Sequence, residues 1–574
     1  MSETSRTTVP PTSAPPDDGR ASSIRPTVFW PALLVLVAVV AAAIVFPDRT
    51  GEAFAAAQDK VIGTLGWYYT LAVTGFVVFA VWMAVGRFGD LRLGPDDEAP
   101  EYRFPVWFSM LFAAGMGIGL VFWGAAEPLT FFSDPKPGVT GDDARLADSA
   151  MAQTLLHWGF HAWAIYVVVG LALAYAIHRK GRSVSLRWTL EPLLGKRVEG
   201  GLGDVIDVVA IVGTVAGVAT SLGLGVSQIS AGLVHLGVIE EATDPVKVGL
   251  IIGISMLATL SVVSGLDVGI KWLSNINLGI AGLFALAVLA LGPTLFILRS
   301  LVENIGSYLF NIVPLSFDTT AFLGAEGAAW QASWTTFYWG WWMSWAPFVG
   351  LFIARISRGR TVREFVAGVL LVPTAVSAVW FSVLGGAAIH RQMFGEGGLV
   401  GEDDTIDSAG ALFSLVGDLP GGTILAGVAI VLVTIFFITS SDSGSLVVDM
   451  LASGGDTDPP RWSRVMWASI SGLVAIGLLL AGGLDALQTG AILTALPFSV
   501  VMIAMCVALH RAFKAEYNEI RRLDLKARRK VLSEEISESV TNDLVENFDD
   551  HFGQPVDDRI ETALRNSDEV DEHR

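Results

Sequence analysis

The sequence predicts an all-α polytopic membrane protein with twelve transmembrane helices in a five-plus-five inverted repeat. Three observations predict it. Of 574 residues, 52% are hydrophobic and 16% charged, and the mean hydropathy is +0.56, a membrane composition. Twelve apolar stretches are long enough to cross about 30 Å of hydrocarbon. Two of them, five spans apart, carry residues that break helices.

In chain order the stretches are 27–46, 65–86, 105–126, 151–178, 205–236 and 246–264, then 272–298, 333–356, 365–390, 422–450, 462–482 and 486–510. The placement of positive charge agrees with an even number. The N-tail and the loops after even-numbered spans hold 19 of the 37 Lys and Arg; the loops after odd-numbered spans hold 7, and the C-tail 11. The positive-inside rule therefore puts both termini in the cytoplasm of a bacterial-type inner (plasma) membrane.

The domain reading follows: a disordered N-tail (1–26) and two peripheral helices (27–104) lead into a first five-helix repeat (105–298). An external loop or helix (299–332), a second repeat (333–510) and a charged C-tail (511–574) complete it. The N-tail is polar and rich in Pro and Ser, and the run behind it is too long for a signal peptide. The single cysteine, Cys506, excludes disulfides and thiolate metal clusters. A net charge of −19 makes nucleic acid an unsuitable partner.

Lipid offers no substitute partners for a broken helix, so breaks within spans are informative. Span three contains "AAGMGIG" (113–119), and span eight places Gly340 and Pro347 around its tryptophans. Each opens a set of five spans. Five is odd, so the two sets enter from opposite sides, the pointer to a secondary transporter with its site at the bilayer midplane. Close packing through small residues is the alternative for either segment alone.

Span eight reads "SWTTFYWGWWMSWAPF" (333–348). Tryptophan suits a belt at the membrane surface, yet Trp341, Trp342 and Trp345 fall roughly 12–18 Å into the span at 1.5 Å per residue. Trp341 and Trp345 are four apart and share a face. Span four adds Trp158, Trp163 and Tyr166 from "HWGFHAWAIY" (157–166). Aromatic faces converging on one point can hold a quaternary ammonium; packing of a bundle core is the plainer reading.

The segments "GMGIG", "FYWGWWMSWAPFVG", "ARISRGR" (354–360) and "FFITSSDS" (436–443) together resemble the betaine/choline/carnitine transporter family, most of all its sodium-coupled glycine betaine carriers. The resemblance covers residues 27 to 510. It implies the LeuT-like inverted repeat, a homotrimer in the lipid bilayer, and trimethylammonium substrates. By this resemblance Trp341, Trp342 and Trp345 form the ammonium cage, and Trp158, Trp163 and Tyr166 line the route of entry. Met116 and Gly119 also face substrate.

One sodium would bind the carbonyls of Ala113, Met116 and Phe436 and the hydroxyls of Thr439 and Ser440. A second would involve Thr214, Tyr166, Phe348 and Ser471. Each such hydroxyl could instead bond back to its own helix. Sodium-independent exchangers of the family carry an arginine in span five; residues 208–236 here contain no Lys or Arg. Choline-specific relatives place aspartate where this chain has Gly119, so a zwitterion is implied. Osmosensing relatives end in a basic helix, whereas this tail turns acidic after "KARRK" (526–530).

Other charged residues have simpler readings. His157 and His161, four apart, could share a metal but have no acidic partner in their span. Asp442 is expected to pair with the arginines after span eight, and Glu127 to face water at an outer helix end. No nucleophile–base or metal constellation suggests an enzyme, and no cofactor beyond sodium as coupling ion is expected. The function expected is sodium-coupled uptake of glycine betaine or a related zwitterionic compatible solute, for osmoprotection. The alternatives are an osmotic sensor or receptor that binds betaine, and a choline, carnitine or ectoine carrier.

Overall fold

Proline and glycine punctuate the chain, and many of its helices start or stop at them. A computed structural model describes residues 24–115, 117–264, 267–401, 405–547 and 553–571; the N-tail reading falls almost wholly on residues outside these. Eighteen α-helices follow one another among the described residues. Among the described residues there is no strand, only one antiparallel bridge between Arg92 and Thr361.

Pro26 and Pro47 open α1 (Pro26–Val45) and α2 (Pro47–Val85), where a missing N–H costs nothing. The glycine run separates α3 (Phe104–Gly115) from α4 (Ile118–Ser133). With 12 and 16 residues, each is shorter than the roughly 20 needed to cross hydrocarbon. Gly159 separates α5 (Asp143–Trp158) from α6 (Phe160–Ala174). A Cβ there would lie 2.5 Å from the Leu155 carbonyl oxygen and 2.6 Å from the Tyr308 hydroxyl. That hydroxyl instead accepts the Phe160 N–H at 3.0 Å, satisfying one free donor of the new helix.

The short α7 (Glu191–Leu194) precedes α8 (Gly201–His235), α9 (Asp244–Ser264), α10 (Asp267–Leu291), α11 (Thr294–Ser316) and α12 (Gly324–Gln331). The seventh apolar stretch extends to residue 298, but α10 stops at Leu291 before Gly292 and Pro293. Proline disfavours helix in the residue before it, so the chain restarts as α11. That helix buries Ile297, Asn304 and Tyr308 on one side and exposes Val302, Phe310 and Val313.

α13 (Phe337–Ile356) carries the tryptophans, followed by α14 (Val362–Phe394), α15 (Ala411–Gly417) and α16 (Gly422–Ala452). A capping box between Thr361 and Glu364 starts α14. The expected break within span eight does not occur: α13 runs unbroken through Gly340 and Pro347. Gly340 serves close packing instead, since a Cβ there would lie 2.9 Å from the Ile492 Cα.

Up to His510 the helices form one unit, and Arg511–Arg574 form another. α17 (Arg461–Glu546) departs from helical geometry at Gly482 and at Gly483, whose φ is 63°. In the tail unit, α18 (Gln554–Asp571) is an acidic helix. Eight helices among the described residues are long and apolar enough to cross a membrane. In the membrane unit α6 packs on α13, α8 on α16, and α4 on α14; these contacts enclose the site.

Candidate functional site: an aromatic cavity at the meeting of α4, α5, α6, α8 and α13

A cavity opens where the broken helices meet α13. Its wall includes Gly119, Trp158, Trp163, Tyr166, Trp341, Trp342 and Trp345, together with Phe348 and Ser440. Residues from four separate stretches of sequence thus converge. The rings of Trp341 and Trp342 stack at 4.6 Å and 16°. Trp158 stands edge-on to both, 6.1 Å from Trp341 and 4.8 Å from Trp342. Tyr166 lies 6.4 Å from Trp342 and 5.3 Å from Trp163.

A buried indole needs a partner for its N–H, and four of these rings have one in the protein, two of them in Ser221 of the cavity wall. Trp345 and Trp341 both donate to the hydroxyl of Ser221, at 2.8 and 3.3 Å. Trp342 donates to the His157 carbonyl at 2.8 Å, and Trp158 to Glu127 Oε2 at 2.7 Å. The polar edges are consumed by the protein, and the ring faces remain. Gly119 makes room for them: a Cβ there would lie 2.5 Å from Trp341 Cη2 and 3.0 Å from Trp158 Cη2.

The expected sodium ligands are less gathered. Phe348 lies against Trp345 at 4.9 Å and lines the cavity with Ser440. Thr439 donates to the carbonyls of Ile435 and Phe436 at 2.9 and 3.2 Å. Thr214 bonds back to Ala210 at 2.7 Å and Ser471 to Trp467 at 3.0 Å. These three hydroxyls satisfy themselves on their own helices. Ala113 belongs to α3, and Met116 lies outside the described residues.

One charged residue departs from expectation. Glu127 does not face water: it is fully buried. α4 turns it toward α5 and α13, where it meets His157 Nδ1 at 2.7 Å and accepts from Trp158 and from the Tyr338 hydroxyl. Asp442 pairs with Arg464 at 3.0 Å. Of the arginines after span eight, Arg358 takes Glu98 at 2.8 Å and Arg363 takes Asp90 at 3.2 Å.

His161 bonds Ser316 at 2.8 Å, while His157 is held by Glu127, Gln153 and Thr335. Ser221 and the Glu127 partnership are the site features that sequence reading missed. For Glu127 a signal existed: an acid inside an apolar helix is costly unless it is paired.

The family model described as BCCT, betaine/carnitine/choline family transporter, matches residues 27–518. An uncharacterized transporter of Mycobacterium tuberculosis is 51% identical over 86% of this chain and 83% of its own length. Glycine betaine transporter 1 of Vibrio parahaemolyticus is 44% identical over 83% and 91%. Glycine betaine transporter OpuD of Bacillus subtilis is 42% identical over 87% and 96%. These relatives are transporters, not enzymes. With its long apolar helices and its match across nearly the whole membrane unit, the chain belongs to the betaine/carnitine/choline transporter family.

Proposed function

We propose that the protein is a secondary active transporter that couples sodium entry to uptake of glycine betaine or a related zwitterionic compatible solute. The observation that carries this reading is the cavity walled by Trp158, Trp341, Trp342 and Trp345, whose N–H groups are all bonded to the protein, leaving the ring faces free. A trimethylammonium head has no proton to donate, and aromatic faces attract it at about 2 kcal/mol or more per desolvated contact. The names of the Vibrio and Bacillus relatives support betaine, and Gly119, which brings no counter-charge, supports a zwitterion.

For sodium, the carbonyls of Ala113, Met116 and Phe436 with the hydroxyls of Thr439 and Ser440 form the first proposed site; Thr214, Tyr166, Phe348 and Ser471 belong to the second. The break between α3 and α4 supports the first, because unwound backbone offers carbonyls to a cation. Thr439 would turn from Ile435 to reach it. The proposal includes twelve spans in the inverted repeat, both termini in the cytoplasm of the inner membrane, and a homotrimer.

The drive is sufficient. Each charge crossing 100 mV supplies about 2.3 kcal/mol, so two sodium ions supply about 4.6, over a thousandfold accumulation at about 1.4 kcal/mol per decade. The test is uptake of labelled glycine betaine into proteoliposomes under an imposed sodium gradient. Sodium-dependent accumulation is the expected result. Binding without flux would identify a receptor instead, and uptake that persists without sodium would remove the coupling.

A further inference from the structure

Glu127 lies one indole behind the cavity. It is absent from the cavity wall and fully buried, yet it touches two of the rings that shape the site. Trp158 Nε1 donates to its Oε2 at 2.7 Å, and the Tyr338 hydroxyl donates to the same oxygen. Tyr338 is itself in the aromatic cluster, 5.5 Å from Trp158 and 5.8 Å from Trp342.

The proton on the third contact follows from the chain of bonds behind it. Gln153 Nε2, an amide nitrogen that can only donate, lies 3.1 Å from His157 Nε2. His157 Nε2 is therefore an acceptor, so in the neutral ring Nδ1 carries the hydrogen. Nδ1 lies 2.7 Å from Glu127 Oε1 and donates to it. All three neighbours of the carboxyl are donors, which is the environment of an ionised, acceptor-only carboxylate. Such charge-assisted bonds are roughly twice as strong as neutral ones.

We propose that Glu127 is a positioning residue that also tunes the cage. It fixes the Trp158 and Tyr338 rings, and its charge, drawn onto the indole N–H, makes the Trp158 face more negative. A more negative face attracts a cation more strongly, because the attraction is electrostatic. Discrimination between a trimethylammonium head and a neutral head of the same shape therefore depends on Glu127. The inference rests on the reading that quaternary ammonium compounds occupy this cavity.

The test compares two ligands on full-length protein by isothermal titration: glycine betaine and 3,3-dimethylbutanoate, which carries a tert-butyl group in place of trimethylammonium. Glu127→Gln should weaken betaine about tenfold and leave the isostere nearly unchanged. Equal weakening of both ligands would reveal a merely structural role, and unchanged betaine binding would show no role; either overturns the inference and leaves the proposed transport intact. Tyr338→Phe, which removes one donor and leaves the Trp158 bond, provides a second reading if Glu127→Gln does not fold. It should lower the betaine-to-isostere preference in the same direction by a smaller factor, and an unchanged preference there also overturns the inference. Wild-type protein that binds neither ligand would overturn both readings together.

Discussion

Gly119 meets the edge of Trp341 so closely that a Cβ at Gly119 would lie 2.5 Å from the ring's Cη2. A second neighbour, Trp158 Cη2, would lie 3.0 Å from the same Cβ. Gly119→Ala is therefore expected to displace an indole and raise the betaine Kd by about a decade, an ordinary cost for overpacking of about 1–3 kcal/mol. Gly119→Asp adds charge to the same displacement. It should weaken betaine further, since the ligand's carboxylate meets a like charge. It should also let choline compete, because Coulomb attraction of about 4 kcal/mol at about 4 Å in an effective dielectric near 20 outweighs the steric loss. Inhibition of labelled betaine uptake by choline, in wild type and both variants, measures the two effects. Equal choline inhibition in wild type would refute the zwitterion assignment.

Trp345 offers a cleaner deletion. It lines the cavity, its ring lies 4.9 Å from that of Phe348, and its N–H donates to Ser221. Trp345→Ala is expected to lower betaine affinity by about a decade or more with normal membrane insertion, and Trp345→Phe by less. Titration of purified protein reads this, and unchanged affinity in the alanine variant would dismiss the cage.

Sodium makes a different demand. Replacing external sodium with potassium should abolish betaine uptake, and Thr439→Ala should raise the sodium concentration needed for half-maximal uptake. Thr439 now donates to Ile435 and Phe436 on its own helix, so its loss costs the fold little. A normal melting temperature with altered sodium dependence is the expected pair of results. Unaltered sodium dependence would leave the hydroxyl a purely local role.

How much of this was legible in the sequence depends on the range of each interaction. The spacing of Trp341 and Trp345 is a property of one helix, and it brought both to one wall of the cavity. The glycine run before Ile118 announced a break that local backbone freedom produces. Pro347 misled, because a proline reads as a break wherever it stands, whereas α13 continues past it. That Glu127 needs a partner was legible, but which one was not, and Ser221 gave no signal at all. Their partners lie 31 and 124 residues away for Trp158 and Trp345, and no local pattern encodes which helices will face each other.

Ser221 gives the last prediction, because one hydroxyl serves two indoles. Trp345 Nε1 and Trp341 Nε1 donate to it at 2.8 and 3.3 Å, and it donates in turn to the Gly217 carbonyl at 3.2 Å. One oxygen can accept twice and donate once, so these contacts use its full capacity. Ser221→Ala removes the acceptor and leaves two buried N–H groups unpaired, at a cost of about 1–3 kcal/mol each. Either the rings rotate to find other partners, which spoils the cage, or they stay and the fold bears the cost. Betaine affinity should fall with the first outcome and thermal stability with the second. Ser221→Thr keeps the hydroxyl and should restore whichever was lost. Titration and thermal unfolding of the same preparations distinguish the routes, and an alanine variant that matches wild type in both would show that Ser221 does not orient the cage.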